Sequence, residues 1–257
     1  MKPQARERLE LRAIKDFVRS RPRLYDTVRN LKRSLTGSRA PSFSVLEEFS
    51  RRHGGRINFI QIGANDGLRN DPLRPLVVRD DWQGVFVEPL PTVFPLLKSH
   101  YAYLRREGLV FLNAAVTVDG RDTLDFWSFR EAFLAGQSTE QRLDYLRKAS
   151  FERDHVVGFL PPGADPRQCL ERVPVPCLTV ERIVAENLPR QPLHLLAIDA
   201  EGYEATLIPG LDFEAIAVEA VFFESEHLGA QRERVMDHLE THGFRIRTAG
   251  LDSFATR

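Results

Sequence analysis

Ile57-Asn58-Phe59-Ile60-Gln61-Ile62-Gly63-Ala64-Asn65-Asp66-Gly67 runs from an apolar, β-branched segment straight into two glycines four residues apart. The first six residues form the kind of continuous run that a strand covered on both faces requires. A glycine turn directly behind it lets the backbone approach a ligand closely, although the same spacing also marks a tight strand-to-helix turn. Open α/β sheets bind ligands in the crevice beyond the carboxyl ends of their strands, and this turn sits at such an end.

Working outward, further short apolar runs at 85–87, 109–112, 193–198 and 220–223 alternate with helical patterns, among them 179–187 and 232–241. That alternation predicts an α/β, Rossmann-like sheet flanked by helices, closed by a hairpin over 244–256. Between the third and fourth runs lies a long insertion, about 120–178. Within it 123–129 and 173–178 read as strands, 141–148 as a helix and 158–166 as a Pro/Gly loop. Upstream, Leu9, Ala13, Phe17, Leu24, Val28, Leu31 and Leu35 recur at helical steps broken at Pro22, which predicts two short amphipathic helices. The chain therefore divides into a helical N-terminal arm, 1–50, and a main domain, 51–257.

The 257 residues carry 36 Lys and Arg against 36 Asp and Glu, so no global field points to nucleic acid. Residues 1–40 alone hold twelve basic and four acidic side chains, an excess of eight positive charges. Two readings of that basic arm stand side by side: a solvated helical cap, and a peripheral contact with the inner face of a membrane. No run approaches the ~18 apolar residues of a membrane span and no signal-peptide core precedes the domain, so the expected location is cytoplasmic. Cys169 and Cys177 have neither zinc-site spacing nor a CxxC partner.

The second predicted strand ends in Glu88-Pro89, with the carboxylate 21 residues beyond Gly67. An acid at that distance from a glycine loop is placed to accept the two hydroxyls of a ribose, which points to an adenosine ligand. The GxxxG spacing lacks the pyrophosphate cradle of GxGxxG, favouring S-adenosylmethionine over a dinucleotide. Two later clusters are dense in acids. Asp199-Ala200-Glu201-Gly202-Tyr203-Glu204 follows the 193–198 run, and Phe222-Phe223-Glu224-Ser225-Glu226-His227 ends the next. Capping of a helix start accounts for Glu201 or Glu204. It accounts less well for Asp199, immediately beyond a central strand.

These segments together resemble the FkbM family of methyltransferases: the glycine loop 63–67, Trp82 ahead of a strand ending in Glu88-Pro89, Asn113-Ala114-Ala115, the Ile198 to Gly202 motif, and Phe223-Glu224. The resemblance covers about 57–256. It implies a class I methyltransferase fold with a seven-stranded, mostly parallel sheet, a terminal antiparallel hairpin, S-adenosylmethionine as donor and an O-methylated product. By the same resemblance Gln61, Gly63, Ala64, Asn65, Asp66 and Gly67 lie along the methionine portion. Glu88 lies at the ribose, Asn113 and Ala114 at the adenine, Asp199 at the transferred methyl, and Pro89 belongs to the same cofactor-binding set. Gln61 stands where many class I enzymes carry an acid and adds no charge. Asn113 has a second reading, as a strand-ending residue bonded to backbone.

For removing the acceptor's proton two routes stay open. Asp199, Glu224 and Glu226 supply oxygen ligands for Mg²⁺; alternatively His227, or His155 from the insertion, acts as general base. Phe126, Trp127, Phe129, Ser150, Phe151 and His155 make the insertion the expected binding segment for a sugar, glycan or other hydroxylated small molecule. Two rivals remain. A nucleotide-sugar oxidoreductase or epimerase would need GxGxxG and a Tyr-x-x-x-Lys pair, both absent from the sequence, and a catalytically silent binding module would bind cofactor without turnover.

Overall fold

The computed structural model describes residues 17–36, 40–188, 191–226 and 228–257. Its main sheet has the order β3-β2-β1-β7-β8-β10-β9, built from β1 (Arg56–Ile62), β2 (Asp81–Val87), β3 (Leu109–Leu112), β7 (Leu195–Ile198), β8 (Ala220–Glu224), β9 (Arg245–Ala249) and β10 (Asp252–Thr256). The first five pair in parallel and the last two form the expected antiparallel hairpin. Chain direction across the sheet reverses between β1 and β7, which creates a topological switch point at their carboxyl ends.

The apolar runs are continuous because each strand feeds two cores. Ile60, Ile62, Val85, Val87, Leu196, Ile198, Val221 and Phe223 pack on one face. Ile57, Phe59, Phe86, Leu195, Ala197, Ala220 and Phe222 pack on the other. Each such large side chain contributes about 1.5–3 kcal/mol on burial, so the two-sided pattern is what holds the sheet. The sequence left the start of β2 unread because Asp81, Gln83 and Gly84 interrupt its apolar content. Gly84 is needed there, since a Cβ would come within 2.0 Å of the Phe59 carbonyl oxygen.

The N-terminal elements are part of this body. Helix α1 (Pro22–Thr36) begins at the expected break. Its Asp26 meets the fully buried Arg74 of α2 (Arg74–Arg79) in a two-pronged ion pair at 2.8 and 2.9 Å. Arg74 also donates to the carbonyl oxygens of Gly67 and His100, at 2.7 and 3.0 Å. Leu24, Val28 and Leu31 stay exposed along α1. The helix over Pro41–Arg52 buries Phe43, Val45, Leu46 and Phe49 in the same core as β1 and β2, so no packing boundary falls at residue 50. The earlier part of the predicted arm, residues 1–16, lies outside the described residues. Among the described residues no helix is long and apolar enough to cross a membrane.

The insertion makes a second sheet, β4-β6-β5, from β4 (Ala115–Val116), β5 (Thr123–Phe129) and β6 (Leu170–Leu178). β4 and β6 pair in parallel, Ala115 with Cys177 and Val116 with Leu178. Helix α3 (Thr139–Leu146), two residues earlier than the pattern suggested, starts at a Ser138/Gln141 capping box. A third cluster, including Phe126, Phe129, Leu146, Val156 and Val175, binds these pieces together and takes in Leu90 and Val93 from beyond β2. The insertion thus lies over the carboxyl end of the main sheet.

Candidate active site

A cleft of about 580 Å³ opens between the switch point and the insertion. Its wall includes Gly63 and Asn65 after β1, Glu88 and Pro89 after β2, and Ala114 after β3. Asp199 and Glu201 join them after β7, and Leu146, Arg147 and Phe151 come from the insertion. Sequence reasoning therefore placed Gly63, Asn65, Glu88, Pro89, Ala114 and Asp199 at one surface although they come from four separate stretches of chain.

Glu88 is buried, and both of its oxygens are already anchored. Oε1 accepts from the Leu90 N–H at 2.9 Å and Oε2 from the Asn65 N–H at 2.8 Å. Burial pushes its carboxyl up to about 7, against the pull of those two hydrogen bonds. Two donors leave lone pairs for two more hydroxyls only when the group is ionised.

Asp199 follows β7, its N–H held by the Ile62 carbonyl at 3.0 Å. Its side chain is exposed to the cleft. Desolvation, then the negative charges of Glu201, Glu224 and Glu204, raise its carboxyl well above the usual range. Glu204 is the helix-start acid of this cluster, accepting the N–H groups of Ala200 and Gly202. Glu201, by contrast, turns to the cleft through a left-handed backbone at φ 48°. It meets Lys148 Nζ at 3.2 Å and His155 Nε2 at 3.3 Å. Those partners hold its carboxyl below the ordinary value although burial works the other way.

Several expected contacts fall behind the wall. Gln61 is buried, with Nε2 3.4 Å from Asp71 Oδ1, because Ile62 and not Gln61 faces the cleft. Ala64 belongs to the core. Asp66 accepts the N–H groups of Leu68 and Arg69 and pairs with Arg147 at 3.0 Å, so it shapes the loop. The two glycines answer to packing. A Cβ on Gly63 would lie 1.7 Å from the Asp199 carbonyl oxygen, and one on Gly67 would lie 2.6 Å from both Leu97 and Tyr101. Asn113 takes its strand-ending reading, its amide donating to the carbonyls of Glu88 and Pro89 at 2.8 and 3.0 Å.

The metal set does not assemble. Among the described residues no group of three or more His, Cys, Asp or Glu is placed to hold a metal ion, and Glu226 points out to solvent beyond the end of β8. His155 is off the cleft wall, attached to it through Glu201. His227 lies outside the described residues. Of the expected acceptor contacts, Phe126 and Phe151 reach the wall, their rings 4.7 Å apart, and Tyr203 follows at 5.0 Å from Phe151. Trp127 is instead covered by the guanidinium groups of Arg153 and Arg172. Phe129 packs on Phe133 and Tyr145, and Ser150 donates to the Glu201 carbonyl at 3.0 Å. Sequence reasoning missed Arg147 and Tyr203 on this wall. Arg147 carried no local signal, since only the tertiary fold brings it to the glycine loop.

The family model described as Methyltransferase FkbM domain matches residues 61–246, which runs from the glycine loop through the start of β9. The chain belongs to the FkbM methyltransferase family. Among solved structures, an FkbM methyltransferase from Methylobacillus flagellatus KT aligns at 10% identity with a TM-score of 0.45, covering 79% of this chain and 44% of that one. The chain thus spans less than half the length of that relative. A ribosomal protein L11 methylase from Lactobacillus delbrueckii subsp. bulgaricus aligns at 11% identity, TM-score 0.39, over 82% of this chain and 73% of that chain. Aeropyrum pernix fibrillarin, solved with S-adenosyl-L-methionine bound, aligns at 9% identity, TM-score 0.40, over 78% and 66%. No curated protein matches the chain. The FkbM domain here has the class I methyltransferase fold, and its cleft sits where that fold's switch point lies.

Proposed function

We propose that the protein is an S-adenosylmethionine-dependent O-methyltransferase acting on a hydroxyl of a sugar, glycan or related small molecule. The observation that carries the reading is the charge pattern of one cleft wall in an FkbM domain: Glu88, Asp199 and Glu201 against Arg147. S-adenosylmethionine presents two cationic groups, one carboxylate and a ribose diol, and the donor set matches that mixture. A dinucleotide's pyrophosphate would call for the opposite balance.

In this reading Glu88 accepts the ribose hydroxyls, with Ala114 and Pro89 beside the adenine. When bound, the cofactor supplies a methyl group already activated by its sulfonium. The protein's tasks are then alignment and removal of one proton. Asp199 is the residue we assign to the proton: it stands on the cleft floor, and its raised carboxyl is a stronger base than an ordinary aspartate. Phe126, Phe151 and Tyr203 offer apolar faces on the acceptor side, of the kind a sugar ring packs against.

The test is calorimetric titration with S-adenosylhomocysteine, followed by transfer of labelled methyl to a panel of sugars, nucleotide sugars and glycans. Wild type should bind and turn over. Asp199→Asn should keep the product's affinity within about tenfold and lose about 10²–10⁴ in kcat. A folded wild type that binds no S-adenosylhomocysteine overturns the reading.

A further inference from the structure

We infer that Arg147, contributed by the insertion, binds the carboxylate at the methionine end of the cofactor. The inference rests on the S-adenosylmethionine reading above and adds the residue that selects the amino-acid end of the ligand. Among the described residues Arg147 is the one cationic side chain on the cleft wall. Lys148, its neighbour, is turned to Glu201.

Arg147 is held in position by the loop after β1. Its Nε donates to Asn65 Oδ1 at 3.3 Å, and its Nη2 donates to Asp66 Oδ1 at 3.0 Å and to the Arg69 carbonyl at 3.4 Å. The Asp66 side chain is only 2% exposed and the Arg147 side chain 14%. Among the described residues none accepts from Nη1, and Arg147 lines the cleft. A guanidinium nitrogen left open to the cleft is placed to donate to an anion bound there. The guanidinium is also pre-organised, so little rotamer freedom is lost when that anion arrives.

Asn65 connects this subsite to the ribose subsite. Its N–H is bonded to Glu88 Oε2 at 2.8 Å while its side-chain oxygen accepts from Arg147 at 3.3 Å. The two ends of an extended adenosyl amino acid are thereby gripped from a single residue of the glycine loop. Because Arg147 lies directly beyond α3, the insertion contributes to donor binding as well as to the acceptor side.

The experiment compares two ligands by calorimetry on the full chain: S-adenosylhomocysteine, and its decarboxylated analogue, which keeps adenosine, sulfur and amine. Wild type should favour S-adenosylhomocysteine by about tenfold or more. Arg147→Met should lose that preference while binding the decarboxylated analogue as wild type does, and Arg147→Lys should retain part of it. An equal loss on both ligands would show that Arg147 acts only by supporting the loop, and would overturn the inference. So would an undiminished preference in Arg147→Met, or a wild type that binds the two alike. A wild type that binds neither ligand overturns the cofactor reading itself, a result distinct from the others.

Discussion

Replacing Glu88 by Gln keeps the shape of a buried group and removes its charge, and the structure fixes what each change is worth. The Leu90 and Asn65 N–H groups each donate to one carboxylate oxygen. An amide offers one oxygen, so one N–H loses its acceptor and faces an NH₂, at a cost of about 1–3 kcal/mol. Against this, the native carboxyl titrates near about 7 instead of its ordinary 4.5. The folded protein then holds more protons than the unfolded chain across that interval. Stability therefore falls as pH rises through it, by about 3 kcal/mol in all. Relative to Glu88→Gln, wild type should be more stable at pH 5 and should lose that margin by pH 8, so the difference between their urea-unfolding curves isolates this residue from other titrating groups. Ligand binding should move the other way. Accepting two N–H groups and two ribose hydroxyls needs the ionised carboxylate, so wild-type affinity for S-adenosylhomocysteine should fall as pH drops below about 7. At pH 8 Glu88→Gln should bind about ten- to a hundredfold more weakly, the value of a charged hydrogen bond, with a flat pH profile. Equal affinities at pH 8, or a flat wild-type profile from pH 6 to 8, would refute the assignment of Glu88 to the ligand.

Arg74→Met strands the Asp26 carboxylate and the Gly67 and His100 carbonyls in a buried place; the expected loss is about 3–5 kcal/mol, read as a fall in Tm on the order of 10 °C. Gly63→Ala drives a Cβ into the Asp199 carbonyl at φ 73°. Its soluble yield should collapse, whereas a variant with wild-type Tm would show that the β1 and β7 ends are not packed as described. For Asp199, whose carboxyl lies well above the usual range, the acid limb of kcat, read with donor and acceptor saturating so that cofactor binding by Glu88 does not enter, should fall above the ordinary carboxylate region. Asp199→Asn should abolish that limb, and its survival in the variant would assign the titration elsewhere.

The strands β1, β3, β7 and β8 were legible because burial on both faces writes itself as unbroken apolar runs. Glu88 and Asp199 were legible because strand ends locate a site without knowledge of side-chain direction. What escaped reading was tertiary. Phe43, Leu46 and Phe49 share a core with strands β1 and β2 only once the sheet is assembled, so a division near residue 50 could not be tested from the sequence. The glycine spacing left a tight turn and a ligand contact both open; crowding by Asp199, Leu97 and Tyr101 accounts for both glycines, and Gly63 also lines the cleft. Gln61 was assigned by its place in a motif, and the strand's alternation turned it away. Glu201 and Glu204 are three residues apart in one acidic run, and sequence could not decide which capped the turn and which faced the cleft.

The parallel pairing of β4 with β6 brings the two joints of the insertion side by side, with the Thr117 N–H bonded to the Leu178 carbonyl at 2.9 Å. Everything between those joints is a cassette clipped at its base. Changes of length within it leave the closing distance untouched, and loop-closure entropy grows only slowly with added residues. The cassette carries Phe126 and Phe151, which the proposal places at the acceptor, and it also carries Arg147. A graft that exchanges the acceptor wall therefore exchanges a donor contact in the same stroke, and recipients that keep an arginine at that position are the ones expected to keep their grip on the methyl donor.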